Sequence, residues 1–191
     1  AGFAYAYAMD STSWFTIGNS WLAFWPSDER ISQVTWDAGI IQKSGKYTYS
    51  FNAKLTYVED PFYIVRREDR YVATISRSTE RTSLGISAGR YEYRNVASQH
   101  LEHTRHALTG TISHASTQTS KIIYDVSIGR INDYAPDRYT ALYRGGVRFE
   151  YMPYASTTVA LHYRYANVYS PDVYAANHSN NRFILDVKKE F

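Results

Sequence analysis

The chain contains no cysteine among its 191 residues, which excludes a disulfide framework and any cysteine-ligated metal centre. It also lacks a long apolar run. Nothing approaches the roughly 18 residues of a membrane-spanning helix, and mean hydropathy is −0.45. Apolar residues seldom recur at three-and-four spacing, so no amphipathic helix stands out. Neither sign of charge dominates: 21 Lys and Arg against 18 Asp and Glu leave +3. That balance falls short of the basic stripe that nucleic acid requires. Proline is scarce, and Pro26, Pro61, Pro136 and Pro171 fall between the apolar segments rather than inside them, as suits loops better than paired strands. Low-complexity tails and linkers are missing as well, so residues 1–191 are read as one domain. No signal peptide is visible, and Ala1 is read as a processed or trimmed start.

What the chain has in quantity is aromatic side chains: 19 Tyr, 8 Phe and 4 Trp. Many stand at alternate positions. A strand presents successive side chains to opposite faces, so period-two spacing predicts strands with one apolar and one polar face. Tyr47–Val58 is the clearest case. Tyr47, Tyr49, Phe51, Ala53, Leu55 and Tyr57 face one way, and Thr48, Ser50, Asn52, Lys54 and Thr56 the other. The same reading predicts strands at Trp14–Trp25, Ile31–Gln42, Arg70–Arg77, Ser83–Tyr93, His106–Ala115, Ser120–Ile131, Thr140–Met152, Thr158–Tyr169 and Arg182–Phe191.

These segments number about ten, an even count of the kind single-chain bacterial barrels have. Connections at 43–46, 78–82, 116–119 and 153–157 are short, and they alternate with longer ones at 59–69, 94–105, 132–139 and 170–181. Residues 3–9 alternate too. Residues 1–13 are read as a periplasmic N-terminal segment or as an extra strand. If the segment pairs, either a further strand is hidden in 59–69, for about 12 in all, or the chain is one piece of a larger barrel.

The last segment ends on Phe191, with Phe183, Leu185, Val187 and Phe191 on one face and Arg182, Asp186, Lys188 and Glu190 on the other. A strand ending this way resembles the closing strand of bacterial outer-membrane β-barrel proteins. The resemblance implies an all-β, transmembrane, antiparallel up-and-down β-barrel in a bacterial outer membrane. It makes Phe191 a membrane-insertion signal read by the barrel-assembly machinery. Outer-membrane lipid and lipopolysaccharide, together with an envelope protein, are the further partners implied; nucleic acid is not among them.

Pattern alone also permits a soluble barrel or sandwich with the apolar faces inward. Strand lengths of about 10–12 residues match a tilted crossing of the hydrocarbon layer. Tyr and Trp, with an apolar ring and a polar tip, suit its boundaries. With the apolar faces outward, the lumen receives Asp37, Lys54, Asp125, Arg144, Arg148, Glu150, His162, Arg164, Arg182, Asp186, Lys188 and Glu190. Of these, Arg144, Arg148, Glu150, His162, Arg164, Arg182 and Asp186 are the expected lumen or solute-binding set. A charged track focuses the field on a passing ion, so a narrow polar transport path for small solutes, anionic or zwitterionic, or for an extended polymer is the leading expectation. An ion-pair plug in a non-conducting structural or adhesion barrel is the alternative.

Two weaker patterns remain. His100, His103 and His106 are dense enough to raise a metal site, but their spacing converges on a helix and diverges on a strand; no cofactor is expected. His114-Ala115-Ser116 and His178-Ser179-Asn180 resemble the Ser–His pairing of outer-membrane lipid hydrolases. The first has Thr117 where that motif has Asn, and the second lacks the intervening residue, so no catalytic residue is assigned.

Overall fold

The computed structural model describes residues 2–8, 13–24, 31–59, 65–96, 98–154, 156–173 and 177–189. Phe191 and Glu190, and with them the proposed insertion signal, lie outside these residues. The strands are β1 (Gly2–Ala8), β2 (Ser13–Phe24), β3 (Ile31–Ser44), β4 (Tyr47–Glu59), β5 (Val65–Ser78), β6 (Thr82–Asn95), β7 (Leu101–Ala115), β8 (Ser120–Tyr134), β9 (Asp137–Tyr154), β10 (Thr157–Tyr169) and β11 (His178–Lys189). They form one 11-stranded sheet in sequence order, every neighbouring pair antiparallel. This is an all-β up-and-down sheet. Its edges, β1 and β11, are not paired with each other.

The count departs from the expected ten because residues 2–8 pair with β2, from Gly2↔Ser20 to Ala8↔Trp14. No separate strand lies hidden in 59–69 among the described residues; Val65–Asp69 is the start of β5. The other differences lie at the same end of the sheet. β7 begins at Leu101 rather than His106, and β11 at His178 rather than Arg182. The connection expected over 132–139 shrinks to Ala135 and Pro136, joined by a cis peptide bond. Leu101 apart, these extensions are largely polar on both faces. Ladder hydrogen bonds engage backbone groups of any residue type, so such stretches pair without an alternation to announce them.

The opposite end closes with tighter turns. β3 and β4 are joined by two residues, the first being Gly45 at φ 58°. A Cβ there would meet nothing within 4 Å, so an added side chain is opposed only by the backbone conformation. Gly45→Ala is expected to cost about 1 kcal/mol, seen as a lower urea midpoint in lipid or detergent; an unchanged midpoint would show that the turn relaxes to another form.

Burial runs opposite to that of a water-soluble fold. Among the described residues the buried hydrophobics are Leu55, Ala141 and Ala160, while Phe51, Ile86, Leu108, Val126, Ile128 and Leu161 are 44–53% exposed. The opposite face is lined by small polar groups. Ser50, Thr74, Ser87, Thr109 and Ser127 are successive cross-strand partners and lead to Arg144. A soluble sandwich buries its apolar faces between layers; this sheet leaves them bare, in need of an apolar medium. At the loop end the same outer face becomes ionic. Arg67 and Arg94 contact Asp69 at 2.9 and 3.6 Å, and Arg90 and Arg94 contact Glu92 at 2.6 and 2.9 Å. That line of charges bounds the apolar band.

Candidate functional site

The site grows out of strand register. Thr111, Asp125, Gly146, Arg164 and Arg182 form one row across β7 to β11. One step toward the loop end, Ser127, Arg144, Ala166 and Asn180 form the next. One step the other way come Ile123, Arg148, His162 and Ile184, then Lys121, Glu150, Ala160 and Asp186. Alternation puts all of these on the polar face, away from Tyr143, Val147, Phe149 and Leu161. The predicted set is therefore brought together on three adjacent strands, β9, β10 and β11.

The members play different parts. Arg148 Nε lies 2.8 Å from Glu150 Oε1, an ion pair between residues two apart on β9. His162, 5% exposed, sits beside Arg148 as its cross-strand partner and above the buried Ala160. Arg144, Arg164 and Arg182 form no salt bridge among the described residues. With Asp125, Ala166 and Asn180 they surround a recess of about 470 Å³. Gly146 is what lets Asp125 lie there: a Cβ at Gly146 would be 2.8 Å from Asp125 Oδ1. The carboxylate thus reclines across the glycine toward Arg164. One carboxylate among three guanidinium groups leaves the recess positive. Guanidinium has a planar fork of donors that matches carboxylate and phosphate oxygens. The recess can hold an oxyanion or a small halide.

The histidines do not converge. His103 stacks on Tyr93 with ring centroids 4.3 Å apart, on the polar face. His106 has the opposite parity on β7 and lies exposed, and His100 precedes the strand. No group of three His, Asp or Glu among the described residues could hold a metal ion. His114 Nδ1 is 2.9 Å from Thr82 Oγ1, and Ser116 donates its backbone N–H to Ser120 O. His178 opens β11 as the partner of Val168.

Reading the sequence missed Arg70, Tyr91 and Arg105, which also face the polar side. Arg105 lies just before the segment read as a strand. Extending the alternation backward from Ala107 would have found it, since Arg105 keeps the same parity.

No protein-family model matches the chain, and no curated protein matches it in sequence. Several solved structures match in shape. The anion-selective porin from Comamonas acidovorans superposes with a TM-score of 0.71 at 8% identity, over 100% of this chain and 59% of that one. OmpT, an outer membrane protein of Vibrio cholerae, gives 0.70 at 12% identity, over 98% of this chain and 63% of that one. The outer membrane channel DcaP of Acinetobacter baumannii gives 0.68 at 11% identity, over 100% and 62%. The sheet is therefore similar in fold to outer-membrane barrels of the porin and channel type. The chain spans about three-fifths of the length of these proteins. At such identities the likeness concerns fold alone.

Proposed function

We propose that this chain forms wall of a bacterial outer-membrane β-barrel pore, with its polar face inward and Arg144, Arg164 and Arg182 favouring anions. The observation that carries the reading is the recess itself. Three guanidinium groups stand together on the face opposite the apolar one, with Asp125 as the single carboxylate lining their recess. In a bilayer every backbone polar group needs a partner inside the protein, so the edge strands β1 and β11 need strand partners there, as a closed barrel supplies. A wall of 11 strands already exceeds the eight-stranded barrels that side chains fill, and approaches the size that leaves an aqueous channel. Inside such a lumen a net positive recess raises the local concentration of small anions. The anion selectivity named for the Comamonas protein is consistent with this chemistry. Outer-membrane lipid, lipopolysaccharide and the barrel-assembly machinery are its proposed partners.

The test is the reversal potential of single channels in planar bilayers under a potassium chloride gradient. The expected sign is that of chloride permeating faster than potassium. Absence of resolved conductance steps would replace this reading with a non-conducting structural barrel. Asp125→Asn should raise the anion-to-cation permeability ratio, by about twofold for one removed charge in a partly screened lumen. A fall in the ratio would show that Asp125 serves chiefly to hold the arginines in place.

A further inference from the structure

The polar face carries a second cationic group, apart from the recess. Lys54 of β4, Arg70 of β5, Tyr91 of β6 and Arg105 of β7 are successive cross-strand partners and stand in one row. Tyr91 lies between the two arginines. Its ring centroid is 5.6 Å from Arg70 Cζ and 5.4 Å from Arg105 Cζ. Distances in this range give a favourable contact between a cation and the negative face of the ring. Gly89 allows it. A Cβ there would lie 2.8 Å from Tyr91 Cε2 and 3.1 Å from its hydroxyl oxygen, so the ring reclines along β6 over the glycine.

Neither Arg70 nor Arg105 forms a salt bridge among the described residues, and the buried Nε of Arg105 has no hydrogen-bond acceptor. Elsewhere on the sheet a carboxylate accepts from the guanidinium, as for Arg66 with Glu102 at 2.6 Å and Arg94 with Glu92 at 2.9 Å. A ring differs from a carboxylate in what it leaves free. It attracts the guanidinium without accepting its in-plane N–H groups, so the donor fork stays available to a solute.

We propose that Tyr91 is a positioning residue that holds Arg70 and Arg105 as a second anion station, one that takes oxyanions through the free guanidinium edges. This rests on the pore reading above. A solute moving along the polar face would then meet two arginine groups.

The experiment is block of single-channel current by citrate, measured together with the reversal potential. Arg70→Gln with Arg105→Gln should raise the half-blocking citrate concentration by about tenfold, since two charge-assisted contacts are lost. Tyr91→Leu should raise it by about threefold, and Tyr91→Phe should leave it unchanged, because the ring face is kept. Gly89→Ala, which displaces the ring and removes no charge, should act like Tyr91→Leu. On the double-glutamine background, Tyr91→Leu should have no further effect; a residue that merely supports the fold would still lower conductance there. A wild-type barrel without anion-selective steps would remove the pore and this station together. An anion-selective wild type in which Tyr91→Leu changes nothing, or adds fully to the double variant, would overturn this proposal and leave the pore standing. So would citrate block that depends on Arg144, Arg164 and Arg182 alone.

Discussion

Replacing Arg144, Arg164 and Arg182 together by glutamine is expected to lower the anion-to-cation permeability ratio by about tenfold or more while channels still open. At an effective dielectric near 20, a unit charge about 8 Å from an ion contributes about 2 kcal/mol before salt screening. Three such charges, opposed by Asp125 and damped by the electrolyte, still leave enough for a large change in ion preference. Glutamine keeps side-chain length and hydrogen-bonding capacity, so the recess remains polar and wetted. The effect should shrink in 1 M salt, where the screening length falls to about 3 Å. Lysine at the three positions should retain most of the preference, because lysine keeps the charge and loses only the fork. An unchanged ratio in the triple glutamine variant would remove these residues from the ion path. Neutralising Arg148 alone should also lower the ratio, because it leaves its partner Glu150, 2.8 Å away, as an uncompensated carboxylate.

The second large effect concerns which face meets lipid. Ile86 is 44% exposed, with Ile75 and Gly110 as its cross-strand partners. The next residue, Ser87, points to the opposite face, between Thr74 and Thr109. Ile86→Arg is expected to destabilise the bilayer-inserted protein by about 2–4 kcal/mol, the cost of a guanidinium on the lipid face near the midplane. Ser87→Arg should cost little and should change conductance instead. The measurement is urea unfolding in lipid vesicles, monitored by tryptophan fluorescence. Equal tolerance of both arginines would sink the assignment of faces. So would a monomer stable in buffer without detergent, since the apolar rows would then be buried somewhere that the present sheet does not provide.

Much of the architecture is legible from alternation. Tyr47–Val58 read from the sequence becomes β4 at Tyr47–Glu59, and its faces are as the spacing dictates. The seven residues expected on the lumen do share the polar face of β9, β10 and β11. What escaped the reading has a common cause. Arg66–Asp69, His103–Arg105 and His178–Asn181 are strand by backbone pairing, yet their side chains are polar on both sides, so nothing in the pattern marks them. β1 was visible as an alternation, but whether it paired depended on β2. The aromatic clamp on Arg70 and Arg105 was out of reach for a further reason: Tyr91 looks like one more girdle tyrosine until Gly89 is seen to free the space beneath its ring.

The sequence by itself determined that each strand has an apolar and a polar face, and that successive strands run up and down. Those properties are local, because side-chain direction alternates within a single strand whatever lies beside it. Only the tertiary structure decided which side chains become neighbours: Asp125 reclining over Gly146 toward Arg164, Arg182 beside Arg164, and Tyr91 between two arginines. Register is set by backbone hydrogen bonds between segments distant along the chain, and those bonds form between residues of any kind. A slip of two residues would preserve every face and dissolve every one of these constellations.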